Sequence, residues 1–191
     1  MIVGIYGEQG SGKTCYMVKE MFNYHREGKK IYSNMKGLNF PYELVNYKRL
    51  AGCEIKNAVI GLDEAHLLLN SRDSMSKGNK ELTQSFLTQI AKSGNILLIT
   101  TQFPLQIDIR FRNNSAYTIF SEKKVLVKGI LYKIPQGTMF SKKYMVYIEL
   151  TVIRNRMGFP EKEVRMKPFL ANDYYHLYDR REAILLDTMK E

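Results

Sequence analysis

Cysteine is scarce, long apolar runs are missing and acidic side chains are outnumbered, and each shortage removes a class of protein. Two cysteines occur in 191 residues, Cys15 and Cys53. They have no metal-ligand spacing and cannot form a disulfide framework, so they read as inert thiols of an intracellular chain. No stretch approaches the roughly 20 consecutive apolar residues of a membrane span, and there is no repeat or low-complexity tract. A soluble chain with no integral membrane segment is expected. Met1 and Ile2 lead straight into an apolar run, with neither a basic start nor a small-residue cleavage site, so a cytoplasmic location is expected. Asp and Glu total 19 against 29 Lys and Arg, a net charge of +10. That excess calls for a polyanionic partner, nucleic acid first. The basic residues fall in scattered pairs, among them Lys29-Lys30, Lys123-Lys124 and Lys142-Lys143. Scattered pairs suit phosphate tracking better than base reading. A basic solvated surface is the other reading of any one pair.

What is present begins with Gly7-Glu8-Gln9-Gly10-Ser11-Gly12-Lys13-Thr14. Two glycines with four residues between them, followed by Lys and Thr, form the phosphate-binding loop pattern. The apolar run Ile2-Val3-Gly4-Ile5-Tyr6 before it reads as a buried strand and residues 15–24 after it as a helix, which is the context the motif requires. Glycines let consecutive N–H groups converge on a di- or triphosphate. Lys13 adds a mobile positive charge, the Thr14 hydroxyl can ligate Mg²⁺, and Cys15 follows at the start of the helix. The loop's nucleotide-contact set is therefore Gly7, Gly10, Ser11, Gly12, Lys13, Thr14 and Cys15.

A loop of this type needs a second acidic element at the end of another buried strand, and Ala58-Val59-Ile60-Gly61-Leu62-Asp63-Glu64 supplies it. Asp63 is the candidate Mg²⁺ partner together with Thr14, and Glu64 the candidate base for an attacking water. Adjacent carboxylates at a strand end imply hydrolysis, because a kinase acceptor needs no water-activating Glu. The competing reading makes both residues caps of a following helix over 65–69. His66 completes the string Asp63-Glu64-Ala65-His66 but carries little weight alone, since a lone His is more often packed or capping than coupling.

The length suits one domain over 1–191, divided into a nucleotide-binding core over 1–122 and a β hairpin with a tail over 123–191. Residues 30–33 read as the second strand, and residues 39–54 as a loop-rich connection with a short helix around 42–50. Residues 71–79 are the most loop-like stretch. A helical pattern follows over 80–92, with Leu82, Phe86 and Ile90 on one face. Residues 95–102 form another apolar strand with a polar end, placing Gln102 at the ligand edge. A strand over 116–120 comes next. Residues 125–134 and 144–153 alternate like a long hairpin around Pro135-Gln136-Gly137. Residues 174–189 have a moderate helical pattern. Short apolar strands alternating with helices give an α/β class with a mainly parallel central sheet, of RecA-like P-loop NTPase type, ending in a C-terminal β hairpin.

Four segments carry a family resemblance: the loop Gly7 to Thr14; Ile31-Tyr32-Ser33-Asn34-Met35-Lys36-Gly37-Leu38 with its Asn-x-x-Gly turn; residues 59–65; and Leu98-Ile99-Thr100-Thr101-Gln102 with Pro104, Asp108 and Arg112 behind it. Over about its first two-thirds the chain resembles the ATPase domain of the zonula occludens toxin (Zot) type, a branch of the FtsK/HerA superfamily of DNA pumps and viral packaging ATPases. The resemblance implies ATP and Mg²⁺ as cofactors and Gln102 as a γ-phosphate sensor. It also implies a homo-oligomeric ring, with a hexamer the expected size, that couples ATP hydrolysis to movement of DNA without sequence preference. Viral capsid or assembly proteins would be the partners, in a host cytoplasm or on the virion. Zot-type proteins of filamentous phages usually carry a membrane span and an outer domain after the ATPase, which this sequence lacks. That favours genome packaging over membrane-associated extrusion.

A ring motor needs a cation from the neighbouring subunit, because an arginine finger neutralises transition-state charge. Arg110 and Arg112 are the candidates, with salt bridges or DNA phosphate contacts the equal alternative. For DNA the candidate loop holds Arg72, Lys77 and Lys80. Two rivals from other classes stay open: a small-molecule P-loop kinase, for which no convincing Arg-rich lid is found, and a non-hydrolysing nucleotide switch.

Overall fold

An apolar run without polar alternation makes a stable strand when both of its faces are covered, and that coverage organises the whole chain. In the computed structural model, which describes residues 1–45, 55–67, 69, 86–88, 90, 92–127, 130–133, 145–154 and 160–179, β1 (Ile2–Tyr6) and β4 (Ala58–Leu62) are buried at every position. With β2 (Lys30–Ser33), β3 (Glu43–Leu44), β5 (Ile96–Thr101) and β6 (Tyr117–Val127) they form one parallel array in the order β3-β2-β4-β5-β1-β6. Beyond it the sheet turns antiparallel: β7 (Ile130–Lys133) and β8 (Met145–Arg154) pair with β6, and β9 (Pro160–Leu170) pairs with β8.

Successive side chains of a strand point to opposite faces, so each parallel strand feeds two cores. Val3, Ile5, Ile31, Val59, Leu98 and Ile119 pack beneath helix α1 (Lys13–Arg26) and the C-terminal segment 171–178. Ile2, Tyr32, Ile60, Leu62, Leu97 and Ile99 pack on the other face with Phe86, Ile90, Ile107 and Phe111. Gly61 sets the distance between α1 and β4, since a Cβ there would stand 2.3 Å from the Met21 sulfur. A side chain at 61 would force the Met21 side chain, and Met17 beside it, to repack between β4 and α1.

Two expectations need correction. Residues 42–50 were expected to hold a short helix, but Glu43–Leu44 is a strand in register with Tyr32 and Ser33, and residues 46–50 lie outside the described set. A two-residue strand is too short to show a period. The expected hairpin around Pro135-Gln136-Gly137 is also not the pairing found. The first arm, 125–134, is split between the end of β6 and β7, which pair with each other, and the second, β8, pairs with β6, so that Val125 faces Tyr132 on one edge and Met145 on the other. Alternation identifies strands but not their partners, and β6 runs on through residue 127 to offer both edges.

The last described segment returns to the front of the molecule. The 3₁₀ turn Ala171–Leu177 packs over α1, with the Cys15 thiol 3.9 Å from the Ala171 carbonyl oxygen. It then bridges Tyr178 to Leu38, and Asp179 N–H donates to the Gly37 carbonyl oxygen at 3.0 Å. This strap carries residues from the far antiparallel edge to the carboxyl end of β2.

Candidate active site

The loop between β1 and α1 takes its shape from glycine. Gly12 caps α1 at φ 99°, and Gly10 lies at φ 73°, conformations that favour glycine. Gly7 has a second constraint: a Cβ there would meet the Ser11 Oγ at 2.5 Å and the Ser121 carbonyl oxygen at 2.6 Å. The Ser121 hydroxyl donates to the Ser11 carbonyl oxygen at 2.8 Å, fastening the loop to β6. Ser11 Oγ is buried without a hydrogen-bond partner among the described residues. Lys13 folds back over the loop, its Nζ donating to the Glu8 carbonyl oxygen at 2.9 Å. Burial holds the Lys13 ammonium below its ordinary pKa, partly offset by the nearby Glu64 and Asp63 carboxylates.

Three strand ends deliver the remaining groups. Thr14 Oγ1 donates to Asp63 Oδ1 at 3.0 Å, and Thr100 Oγ1 donates to the same oxygen at 2.5 Å. Asn34 clamps the Asp63 backbone in both directions: its Nδ2 donates to the Asp63 carbonyl oxygen at 2.9 Å and its Oδ1 accepts the Asp63 N–H at 2.8 Å. Such reciprocal bonding fixes where β4 stops. Glu64 follows at φ 45°, in the left-handed region, with its N–H donating to Thr100 Oγ1 at 3.0 Å. Its Oε1 accepts from Gln102 Nε2 at 3.1 Å. Asp63 and Glu64 are thus not caps of a regular α-helix; the helical residues that follow are the 3₁₀ turn Ala65–Leu67.

These groups line a cavity of about 400 Å³ shared by Gly10, Gly12, Lys13, Thr14, Cys15, Asp63, Glu64 and Gln102. That size is within the range of small-molecule sites, about 300–1,000 Å³. Met35, Lys123, Tyr178 and Asp179 also line it and were not singled out from the sequence. Lys123 had been read only as part of a basic pair, and residues 178 and 179 only as part of a tail. Neither Arg110 nor Arg112 is among the lining residues. Arg110 is held by Asp108, with Nε to Oδ1 at 3.0 Å and Nη2 to Oδ2 at 2.6 Å. Arg112, half-buried, lies on the same short helix, Ile109–Asn113. Arg72, Lys77 and Lys80 fall outside the described residues, as do Lys142 and Lys143.

Burial pushes the Asp63 carboxyl above its ordinary pKa; the Thr100 and Thr14 hydroxyls pull it partly back, Glu64 raises it further, and Lys13 lowers it. A carboxyl raised on folding contributes stability that is full below its unfolded pKa and is lost as pH rises through the folded one. Ionising Asp63 in the folded chain therefore costs stability. Asp63→Asn keeps an oxygen for Thr100 and removes the charge, so its melting temperature without nucleotide or metal should exceed the parent's by a few degrees near neutrality, at about 2–4 °C per kcal/mol. The gap should close as pH falls through the carboxylate range. Thermal melts across pH check this, and a variant less stable than the parent at neutral pH would contradict it.

No family model and no curated protein matches the sequence. Among solved structures the chain is similar to the N-terminal domain of zonular occludens toxin from Neisseria meningitidis, with TM-score 0.61 and 21% identity over 93% of this chain and 98% of that one. It is also similar to the genome packaging NTPase B204 of Sulfolobus turreted icosahedral virus 2 in complex with AMP, with TM-score 0.54 and 13% identity over 88% and 98%. At these identities the likeness is one of fold. The chain has a P-loop NTPase-type fold on the plan of the zonular occludens toxin N-terminal domain.

Proposed function

We propose that the chain is an ATP-hydrolysing motor that moves DNA during virus or phage assembly, as a genome packaging ATPase working in a homo-oligomeric ring, with a hexamer the expected size. One observation carries the hydrolytic part. The Glu64 carboxylate lies in the same cavity as the glycine loop, one oxygen held by Gln102 at 3.1 Å. A carboxylate so held, beside the loop that would bind phosphates, suits a water-activating base, and Gln102 suits a group that registers whether the terminal phosphate is present. A switch that only binds nucleotide has no use for this pair.

The loop N–H groups and Lys13 bind the phosphates in this reading. Thr14 and Asp63 fit Mg²⁺: both are hard oxygen donors, already 3.0 Å apart, and Mg²⁺ is commonly held by one or two protein oxygens together with substrate phosphate and water. The ion would neutralise charge on the phosphates and relieve the buried Asp63 carboxylate. A cation from the neighbouring subunit completes the site, with Arg110 and Arg112 as the candidates; Arg110 also holds Asp108 in its own chain. The +10 net charge supports a nucleic-acid partner. The packaging task itself is taken from the family resemblance and from the like fold of B204.

An ATPase assay with and without DNA tests the reading. ATP turnover stimulated by DNA of any sequence is expected; phosphoryl transfer to a small acceptor, or binding without turnover, would replace the reading by a kinase or a switch. DNA affinity should fall steeply with salt as Lys and Arg displace counterions. Replacing Arg72, Lys77 and Lys80 by Ala should flatten the slope of log affinity against log salt by up to about three contacts' worth and uncouple DNA from turnover. If Lys142→Ala with Lys143→Ala flattens the slope while the triple variant responds normally, DNA contact moves to that surface.

A further inference from the structure

His66 has no part in the reading above, yet its imidazole stands at the one unsatisfied oxygen of the candidate base. Glu64 Oε1 is taken by Gln102. Oε2 is buried and accepts no hydrogen bond among the described residues. His66 Nδ1 lies 3.3 Å from it, close enough for an ion pair but not aligned as a hydrogen bond. The same Nδ1 lies 3.2 Å from Thr101 Oγ1, which already accepts the Phe103 N–H at 3.0 Å. The Phe103 ring meets the imidazole edge to face at 5.7 Å between centroids.

We propose that His66 is the positioning residue for Glu64: an N–H at Nδ1 turns between Thr101 Oγ1 and Glu64 Oε2, and its hydrogen bond to Oε2, with the proton staying on the imidazole, sets the carboxylate for the attacking water. The proposal rests on the reading of Glu64 as the water-activating group. A buried carboxylate oxygen with no donor is costly, and a short rotation of the imidazole removes that cost without moving the backbone. With Gln102 on one oxygen and His66 on the other, the plane of the carboxylate is held at both ends. Glu64 needs such support because it leaves β4 through a strained left-handed residue, and misplacing a reacting group by about 1 Å can cost on the order of 100-fold in rate.

The test compares His66→Phe, which fills the same space against Phe103, with His66→Asn, whose amide N–H falls near the place of Nδ1–H. Steady-state kcat and KM for ATP are measured, with each substitution also placed in a Glu64→Gln background. His66→Phe should lower kcat by about tenfold or more with KM and melting temperature near the parent's, His66→Asn should recover part of the loss, and neither should matter once Glu64 is Gln. Parental kcat in His66→Phe, an equal loss in both variants, or a loss carried entirely by KM would overturn the proposal. An active parent with an indifferent His66→Phe defeats this inference alone, whereas a parent that binds ATP without turnover defeats the functional reading as well.

Discussion

Glu64→Gln is expected to keep ATP bound and to slow its hydrolysis by about 10²- to 10⁴-fold, the usual contribution of a positioned general base. The substitution is nearly isosteric. Its amide oxygen can still accept from Gln102 Nε2, now 3.1 Å from Oε1, so the cavity wall should stay in place while the base is lost. Lys13→Ala should fail earlier, at binding. Lys13 is 5% exposed and its ammonium reaches back over the loop to the Glu8 carbonyl oxygen, where it is the loop's own positive charge for a polyphosphate. Removing a ground-state phosphate contact weakens binding, whereas removing a group used in the transition state spares it. Titration of a fluorescent ATP analogue alongside phosphate release separates the two phenotypes. If Glu64→Gln hydrolyses ATP at the parental rate, the role given to Glu64 is wrong, and the His66 proposal falls with it.

Arg112→Ala should cost turnover about 10³- to 10⁵-fold, the range of an arginine finger, with ATP binding retained. Among the described residues the cations on the wall of the cavity are Lys13 and Lys123, and in the proposed motor the guanidinium that acts on the terminal phosphate comes from a neighbour. Mixed rings provide the decisive measurement. Subunits bearing Arg112→Ala and subunits bearing Lys13→Ala should regain part of the activity together, because one kind of interface then joins an intact loop to an intact arginine. Arg110→Ala should act differently, through stability. Asp108 is 3% exposed and accepts from both Arg110 Nε and Nη2, and truncating the Arg110 side chain removes the counter-charge of a buried carboxylate while leaving the Arg110 N–H on Oδ1. Failure of Arg112 to complement, in rings shown to be mixed, would send the search to Arg154 or Arg156.

The loop, its strand and its helix were legible because their causes are local. Glycines at positive φ, a cap at Gly12 and a run of apolar residues are properties of neighbours in the chain, and α1 is longer than expected, reaching from Lys13 to Arg26. The Asp63-Glu64 pair was legible because it ends an apolar strand downstream of such a loop. Short β3 was not, since two residues present no period, and its strand identity comes from pairing with β2. Phe86 and Ile90 were rightly grouped, both being buried on the face opposite α1.

By itself the sequence determined the chemistry available at the site: a glycine loop after one strand with a lysine and a hydroxyl opening the next helix, two adjacent carboxylates after a second strand and a glutamine after a third. Which groups meet was decided by tertiary structure, because parallel strands are joined by crossovers that bring together residues far apart in the chain. Asn34 holds the Asp63 backbone across 29 positions and Thr100 bonds its carboxylate across 37. The strap returns Tyr178 and Asp179 to the cavity from the antiparallel edge. His66 shows the difference most plainly. Read along the chain it is a lone histidine after a strand, and only the alignment of β4 with β5 sets its Nδ1 between Thr101 and Glu64.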